Sequence, residues 1–185
     1  YGYKIIGPEI GDMACGEYGE GKMTEPTEII KEIDSYFENK TNNNKFKALI
    51  TAGPTQEEID PIRFIGNRSS GRMGIALALE CANNGANVNL VIGPTHLNVN
   101  HPNISVYKVI SSNQMFETVN NLFNEADISI LTAAVSDYTP MHVSKEKIKK
   151  TDKEITISLK KTADILYEIS SKKRNNQFIV GFALE

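Results

Sequence analysis

Two apolar runs with one helix between them decide what this chain can become. Phe46, Ala48, Leu49 and Ile50 read as a short buried strand that stops at Thr51-Ala52-Gly53-Pro54-Thr55. A helix enters at Ser69-Ser70-Gly71-Arg72-Met73-Gly74 and carries Ile75, Leu77, Ala78, Leu79 and Ala82. It breaks at Asn83-Asn84-Gly85, where glycine ends helices in a left-handed conformation. From Ala86 to Ile92, Val88, Leu90 and Ile92 alternate with Asn87 and Asn89 before a Gly93-Pro94 stop. Strand, helix and strand in that order predict a right-handed crossover with parallel strands. In such a unit ligands sit at the carboxyl ends of the strands.

The segment joining the first strand to its helix, Gly53 to Ser70, is the unusual part. Strand-to-helix loops usually take roughly 2–6 residues, so one this long inside a compact unit is functional or disordered. Gly53-Pro54-Thr55 and Asp60-Pro61 make stiff turns, Arg63 is a bidentate anion donor, and Asn67-Arg68-Ser69-Ser70-Gly71 brings hydroxyls, an amide and glycine backbone to a helix start. Helix N-termini expose free N–H groups and partial positive charge, which suits phosphate. The plainer alternative is an ordinary surface loop with Ser69 or Ser70 as the helix cap.

Downstream the alternation continues. Ile104, Val106 and Val109 read as a strand, and Met115, Phe116, Val119, Leu122 and Phe123 as a helix. Asp127 to Val135 is a strand apolar enough to be covered on both faces. Small Ala133 and Ala134 would let a flat base or sugar lie against its end, and Asp137 could accept from a ribose hydroxyl or a base amine. Equally, small residues pack a helix closely and Asp137 starts a turn. Met141 to Lys150 reads as a mobile, lysine-rich segment of the kind that is usually a solvated face. It is followed by a strand (Ile155, Ile157, Leu159), a helix capped by Thr162 with Ile165, Leu166 and Ile169, and a strand from Phe178 to Phe182. The expected fold is α/β, a doubly wound, mainly parallel Rossmann-like sheet with helices on both faces.

Thr51-Ala-Gly-Pro-Thr55, the run from Asp60 through Arg63, Asn67 and Gly71 to Gly74, Ala133-Ala-Val-Ser-Asp-Tyr138 and Lys145-Glu-Lys-Ile-Lys-Lys150 together resemble the phosphopantothenate-cysteine ligase half of the bifunctional coenzyme A biosynthesis proteins. The resemblance runs from about Phe46 to the last residue. It implies a CTP-dependent ligase that joins 4'-phosphopantothenate to cysteine through an acyl-cytidylate, with Mg²⁺ beside the phosphates. Carried over residue by residue, it gives Asn67 and Arg63 the acyl-phosphate end of the intermediate and Lys147 the charge that develops as pyrophosphate leaves. It gives the nucleotide to Gly53, Ser70, Gly71, Leu131, Thr132, Ala133, Asp137, Lys147, Ala163, Asp164, Ile165, Leu166 and Phe182. Ala163 departs from the pattern, since Pro is commoner there, which implies a less rigid helix start. The resemblance also implies a homodimer of the ligase domain within a larger homo-oligomer.

Residues 1–45 resemble the tail of the preceding decarboxylase half plus a linker, and 46–185 the ligase domain cut short. The glycine-rich opening holds Ala14-Cys15-Gly16 and Gly21-Lys22-Met23, similar to the flap of the FMN-dependent decarboxylase, whose cysteine returns a proton after decarboxylation. A thiol of pKa about 8.5 suits that acid. Without the resemblance Cys15 is a bystander in a loop, and Cys81 lies on the apolar helix face as a core residue. Pro26 with Ile29, Ile30, Ile33 and Phe37 marks an amphipathic helix to about Asn39, and Thr41 to Lys45 is the polar linker.

Composition removes other classes. A net charge of -3 over 185 residues gives no basic footprint for nucleic acid. No apolar run reaches the ~20 residues of a membrane span and no leader is seen, so a cytoplasmic location is expected. Two cysteines build no disulfide framework. His96, His101 and His142 are scattered and read as structural or solvent-facing; the Mg²⁺ ligands are not readable. The other enzyme reading is an NAD(P)-dependent Rossmann-fold reductase. Against it, no G-x-G-x-x-G follows the first strand, no acid ends the second, and Tyr18/Lys22 and Tyr36/Lys40 precede the domain.

Overall fold

The structure, a computed structural model, describes residues 5–12, 16–38, 46–150 and 154–182. The elements in chain order are β1 (Glu9–Asp12), β2 (Tyr18–Lys22), α1 (Pro26–Glu38), β3 (Lys47–Ala52), β4 (Gln56–Glu58), β5 (Phe64–Gly66), α2 (Arg72–Asn83), β6 (Asn87–Ile92), β7 (Ile104–Lys108), α3 (Ser112–Phe123), β8 (Ile128–Leu131), β9 (Tyr138–Pro140), β10 (Leu159–Lys161), α4 (Ile165–Ser170) and β11 (Phe178–Gly181). Five strands form one parallel sheet in the order β11-β8-β3-β6-β7. This is the doubly wound α/β sheet expected from the alternation.

Each face of the sheet owns a core. On one, Ile29, Ile30 and Ile33 of α1 and Ile75, Leu77, Ala78 and Cys81 of α2 pack on Ala48, Ile50, Val88, Leu90 and Ile128. On the other, Met115, Val119 and Phe123 of α3 and Ile165 and Ile169 of α4 cover Leu49, Val91 and Ile179. The period-2 pattern of β3 and β6 therefore feeds two layers, and the period-3.6 patterns of the helices supply one stripe each. The boundary drawn at 45/46 and Cys15 both lie outside the described residues. Among those described, β1 and β2 pair as an antiparallel hairpin ahead of α1.

Several local readings change. α2 takes Gly71, with φ 78, as its N-cap and no side-chain cap, rather than Ser69 or Ser70. Those hydroxyls instead accept from the Gly71 and Arg72 N–H groups at 3.3 and 3.4 Å in the turn before the helix. α4 is capped by Asp164, whose carboxylate accepts from Tyr167 N–H at 2.9 Å, while Thr162 is used outside the helix. Ile155 and Ile157 stay outside the sheet and exposed. Only 159–161 form a strand, antiparallel to β9. α3 is capped by a reciprocal Ser111/Gln114 box.

α2 lies unusually close to the sheet because Gly74 has no side chain. A Cβ there would stand 2.5 Å from Ala52 Cβ, 2.5 Å from Thr132 Oγ1 and 2.9 Å from the Thr51 carbonyl oxygen. Gly74→Ala is expected to lower stability by ~1–3 kcal/mol, the usual range for overpacking a close contact. An unchanged denaturant midpoint would contradict this packing. Cys81, fully buried in α2, has its thiol pushed up to about 12 by burial, with the charges of Asp34 and Glu80 adding to it. Since the thiolate is the reactive form, a thiol reagent at mildly alkaline pH should label Cys81 only as the protein unfolds.

Candidate functional site

β3 leads through α2 to β6 and β7 on one side of the sheet, while β8 and β11 lie on the other. The strand order therefore reverses between β3 and β8, and crevices for ligands open at the carboxyl ends of such a pair. The two exits are bound together. Thr51 is 2 % exposed and its Oγ1 accepts from the N–H groups of Thr132 at 3.1 Å and Ala133 at 3.2 Å. Thr132 Oγ1 donates to the Thr51 carbonyl at 2.6 Å. Thr55 Oγ1, fully buried, accepts from Ser136 N–H at 2.9 Å, and Pro54 pairs with Ala134. Asn67 Nδ2 then donates to the carbonyls of Ala134 at 3.1 Å and Val135 at 3.2 Å. Residues 132–136 are thus held against the β3 exit from several directions.

Over this exit opens a cavity of about 690 Å³. Leu131, Ala133 and Asp137 form one wall, Ala163, Asp164, Ile165 and Leu166 a second, and Phe182 a third. Eight of the residues expected around a nucleotide thus meet from three segments far apart in the sequence. Thr51, Val135, Tyr138, Lys161, Thr162 and Gly181 complete the lining and were not singled out. Tyr138, Thr162 and Gly181 carried a signal, since each adjoins a residue that was. Thr162 links two walls, donating its N–H to the Asp137 carbonyl at 2.9 Å and its hydroxyl to the Ser136 carbonyl at 2.7 Å. Thr132, Gly53, Ser70, Gly71 and Lys147 do not line this cavity. Gly53 and Gly71 are packed backbone to backbone at the start of α2: a Cβ on Gly71 would meet Gly53 N and Cα at 3.2 Å. Thr95 Oγ1 donates to the Ser70 carbonyl at 2.8 Å beside them.

The long loop is a built element. Its strands β4 and β5 pair as an antiparallel hairpin, and buried Glu57 accepts from Ser112 N–H at 2.8 Å, at the positive end of α3. Between the strands Asp60 is 1 % exposed and accepts from Ile62 and Arg63 N–H groups, both at 2.9 Å. Arg63 Nε stands 3.6 Å from the same carboxylate. The lysine-rich segment docks here: Ser144 N–H donates to the Ile59 carbonyl at 3.0 Å, Ile148 N–H to Asp60 at 3.1 Å, and Arg63 Nη2 to the Ile148 carbonyl at 2.8 Å. Lys145, Lys147 and Lys149 lie in a bent segment and not in a strand. Besides these ties to the hairpin, the Ser144 hydroxyl donates to the segment's own Glu146 carbonyl at 2.6 Å and the Met141 N–H to the Ser158 carbonyl at 2.9 Å. Lys147 is exposed and makes no hydrogen bond or ion pair to another described residue.

His101 Nδ1 accepts from Asn103 N–H at 3.1 Å, while His96 and His142 are exposed. Among the described residues no three His, Cys, Asp or Glu side chains cluster as a metal site. None of the helices there is long and apolar enough to cross a membrane.

A family model described as the DNA/pantothenate metabolism flavoprotein C-terminal domain matches residues 43–185. A curated relative named cysteine/cysteine sulfinic acid decarboxylase, of an unknown prokaryotic organism, is 47% identical over the whole chain, which covers 52% of that protein. The coenzyme A biosynthesis bifunctional protein CoaBC of Vibrio vulnificus strain YJ016 is 43% identical, again over the whole chain and 46% of its own length. The chain thus spans about half the length of these relatives. Among solved structures, the C-terminal domain of a coenzyme A biosynthesis bifunctional protein CoaBC superposes with a TM-score of 0.65 at 42% identity, over 75% of this chain and 64% of that one.

Burial alone would raise the Asp60 carboxyl, but the N–H groups of Ile62, Arg63 and Ile148 and the charge of Arg63 outweigh it and hold the carboxyl below its ordinary range. The ionised form therefore contributes stability that is fully present above the unfolded value of about 3.9 and is lost as pH falls through the lower folded value. An NMR titration should find the Ile148 N–H resonance constant from neutrality to about pH 5 and shifting only below the ordinary aspartate range.

Proposed function

The chain belongs to the family of DNA/pantothenate metabolism flavoprotein C-terminal domains, and on that premise we propose that it is the ligase part of a coenzyme A biosynthesis enzyme. In this reading it activates the carboxylate of 4'-phosphopantothenate with CTP and passes the acyl group to cysteine. A carboxylate is a poor acyl donor until its oxygen becomes part of a leaving group. The carboxylate oxygen attacks the α-phosphorus of CTP and pyrophosphate departs. The amine of cysteine then attacks the acyl carbon, CMP leaves with the bonding pair, and the ammonium proton is lost to give 4'-phosphopantothenoylcysteine.

The observation that carries this reading is the cavity at the β3/β8 exits. It gathers small Ala133, the carboxylate of Asp137 and the backbone at Ala163 to Leu166 around a space large enough for a nucleoside. Asp137 would accept from a ribose hydroxyl or the base amine, and Leu131 and Phe182 would flank the ring. Asn67, fixed at the neighbouring strand exit, and Arg63 in the hairpin would hold the acyl-phosphate end. Lys147 would meet charge as it develops on the departing pyrophosphate. Gly53, Ser70 and Gly71, outside the cavity, would serve the phosphates from the corner where α2 starts, while Thr132 would hold the β8 edge of the nucleotide site through its bonds to Thr51. Mg²⁺ would supply charge neutralisation of the triphosphate. The sparse donors here suit an ion held largely by substrate oxygens, with Asp137 the cavity carboxylate that would face it, since Asp164 caps α4.

The intact parent would also decarboxylate the product with FMN, Cys15 being its proton donor. The relative named as a decarboxylase supports a lyase half in such proteins. A homodimer of this domain within a larger oligomer belongs to the same proposal, supported by exposed Ile62, Phe64 and Ile110 around a concavity of about 190 Å³. The reductase reading gains nothing from the fold, since β6 runs out at Ile92 into Gly93-Pro94 with no carboxylate for an adenosine ribose.

A single-turnover burst with CTP and 4'-phosphopantothenate in the intact protein tests the proposal. The wild type should form CMP-linked phosphopantothenate. Lys147→Gln should abolish it while keeping most CTP affinity, because a charge needed only as the bond breaks does not tighten the ground state. Asn67→Asp, which sets a carboxylate against phosphate, should lose about 10²–10³ in rate. A normal burst in the Lys147 variant would remove that residue's role, and protection by ATP equal to that by CTP in a melting assay would remove the cytosine pocket.

A further inference from the structure

Asp60 is the most committed polar group that the reaction scheme leaves unused. Its two oxygens do different things. Oδ1 accepts from Ile62 and Arg63, two and three residues on, which closes its own turn. Oδ2 accepts from Ile148, 88 residues away in sequence, at 3.1 Å. Turn closure needs only Oδ1, which leaves the second oxygen to Arg63 Nε, 3.6 Å away, and to the lysine segment.

The carbonyl of the same Ile148 accepts from Arg63 Nη2 at 2.8 Å, so both backbone polar groups of one residue are gripped by the Asp60/Arg63 pair. On the other side of Lys147, the Glu146 carbonyl accepts from Ser144 Oγ at 2.6 Å, and the Ser144 N–H is itself tied to Ile59. Lys147 is thus bracketed by two held residues while its own side chain stays exposed. Its neighbours Lys145 and Lys149 are exposed as well, and Lys145 also lies between held residues, Ser144 and Glu146, but only Lys147 stands between Ile148, gripped at both backbone groups, and a second held residue.

We propose that Asp60 is the positioning residue of Lys147, acting through the Ile148 backbone to fix where that ammonium can reach. The proposal rests on the reading of Lys147 as the residue that meets phosphate charge, and it gives Asp60 no contact with substrate. Positioning matters because a misplacement of about 1 Å can cost on the order of 10²-fold in rate.

Asp60→Asn is the discriminating variant. The amide can keep its oxygen at the Oδ1 position and preserve the turn, but it must then turn an NH₂ toward the Ile148 N–H, donor against donor. Ile148→Pro removes the same bond from the other side and leaves Asp60 untouched, so it decides the matter should D60N fail to fold. Hydrogen exchange by mass spectrometry in the intact protein should show residues 144–150 exchanging about tenfold faster or more in both variants, with peptides of β3 and α2 unchanged. Single-turnover rate should fall about 10- to 100-fold in both D60N and Ile148→Pro with CTP affinity kept. Unchanged exchange in both variants overturns the attachment. Faster exchange with an undiminished single-turnover rate, or with CTP affinity lost alongside the rate, overturns the positioning role. A wild-type protein without acyl-cytidylate formation would count against the ligase reading instead, and the exchange result alone would then judge the attachment.

Discussion

The structure depends on how closely backbone passes backbone where β3 leaves the sheet. Gly53, at φ 76, lies against Gly93, and a Cβ on it would meet the Gly93 carbonyl oxygen at 3.2 Å. Gly93 in turn has no room for a side chain, since a Cβ would fall 1.7 Å from the Pro54 carbonyl oxygen. Gly71 packs on Gly53, and Gly74 on Ala52 and Thr132. Four glycines thus let β3, β6 and α2 converge on one point. Side chains there would push α2 outward, and the hydroxyl of Thr51 would lose its reach to the β8 exit. The alanines and threonines around them, Ala52, Thr51 and Thr132, are small for the same reason.

The fold was legible because its signals are periodic. Val88, Leu90 and Ile92 on β6, or Ile29, Ile30 and Ile33 on α1, report a buried face by spacing alone. Much of the cavity lining was named in advance too, by the motif string after β8 for Ala133 and Asp137, and for Ala163 to Leu166 and Phe182 only by carry-over from the resemblance. What escaped were contacts between residues with no local signature. Nothing near Glu57 announces that its carboxylate will meet Ser112 N–H at the head of α3, and nothing near Asp60 points 88 residues downstream. The misplaced caps have a similar origin. Ser70 and Thr162 are good caps by type, but the chain geometry assigned those N-cap positions to Gly71 and Asp164. Thr162 is occupied holding Asp137 and Ser136, a long-range demand that outranked a local preference.

The length of the loop from Gly53 to Ser70 follows from the number of places it must touch. A short β3-to-α2 connection could do no more than turn the chain. This one sends Glu57 to the head of α3, Asp60 and Arg63 to Ile148, and Asn67 back to the carbonyls of Ala134 and Val135. The antiparallel pairing of β4 with β5 is what allows it, because the hairpin satisfies its own backbone and leaves the side chains for distant partners. A loop with these anchors has few ways to move as a unit unless several bonds break together. The segments around the cavity, 131–137, 144–148 and the hairpin, therefore share one scaffold although they are far apart in sequence. In the ligase reading, the groups that hold the acyl end and the lysine that meets the leaving group are set by the same hairpin. Their relative placement would then hold even if the cavity walls at Ala163 and Phe182 shift around a nucleotide.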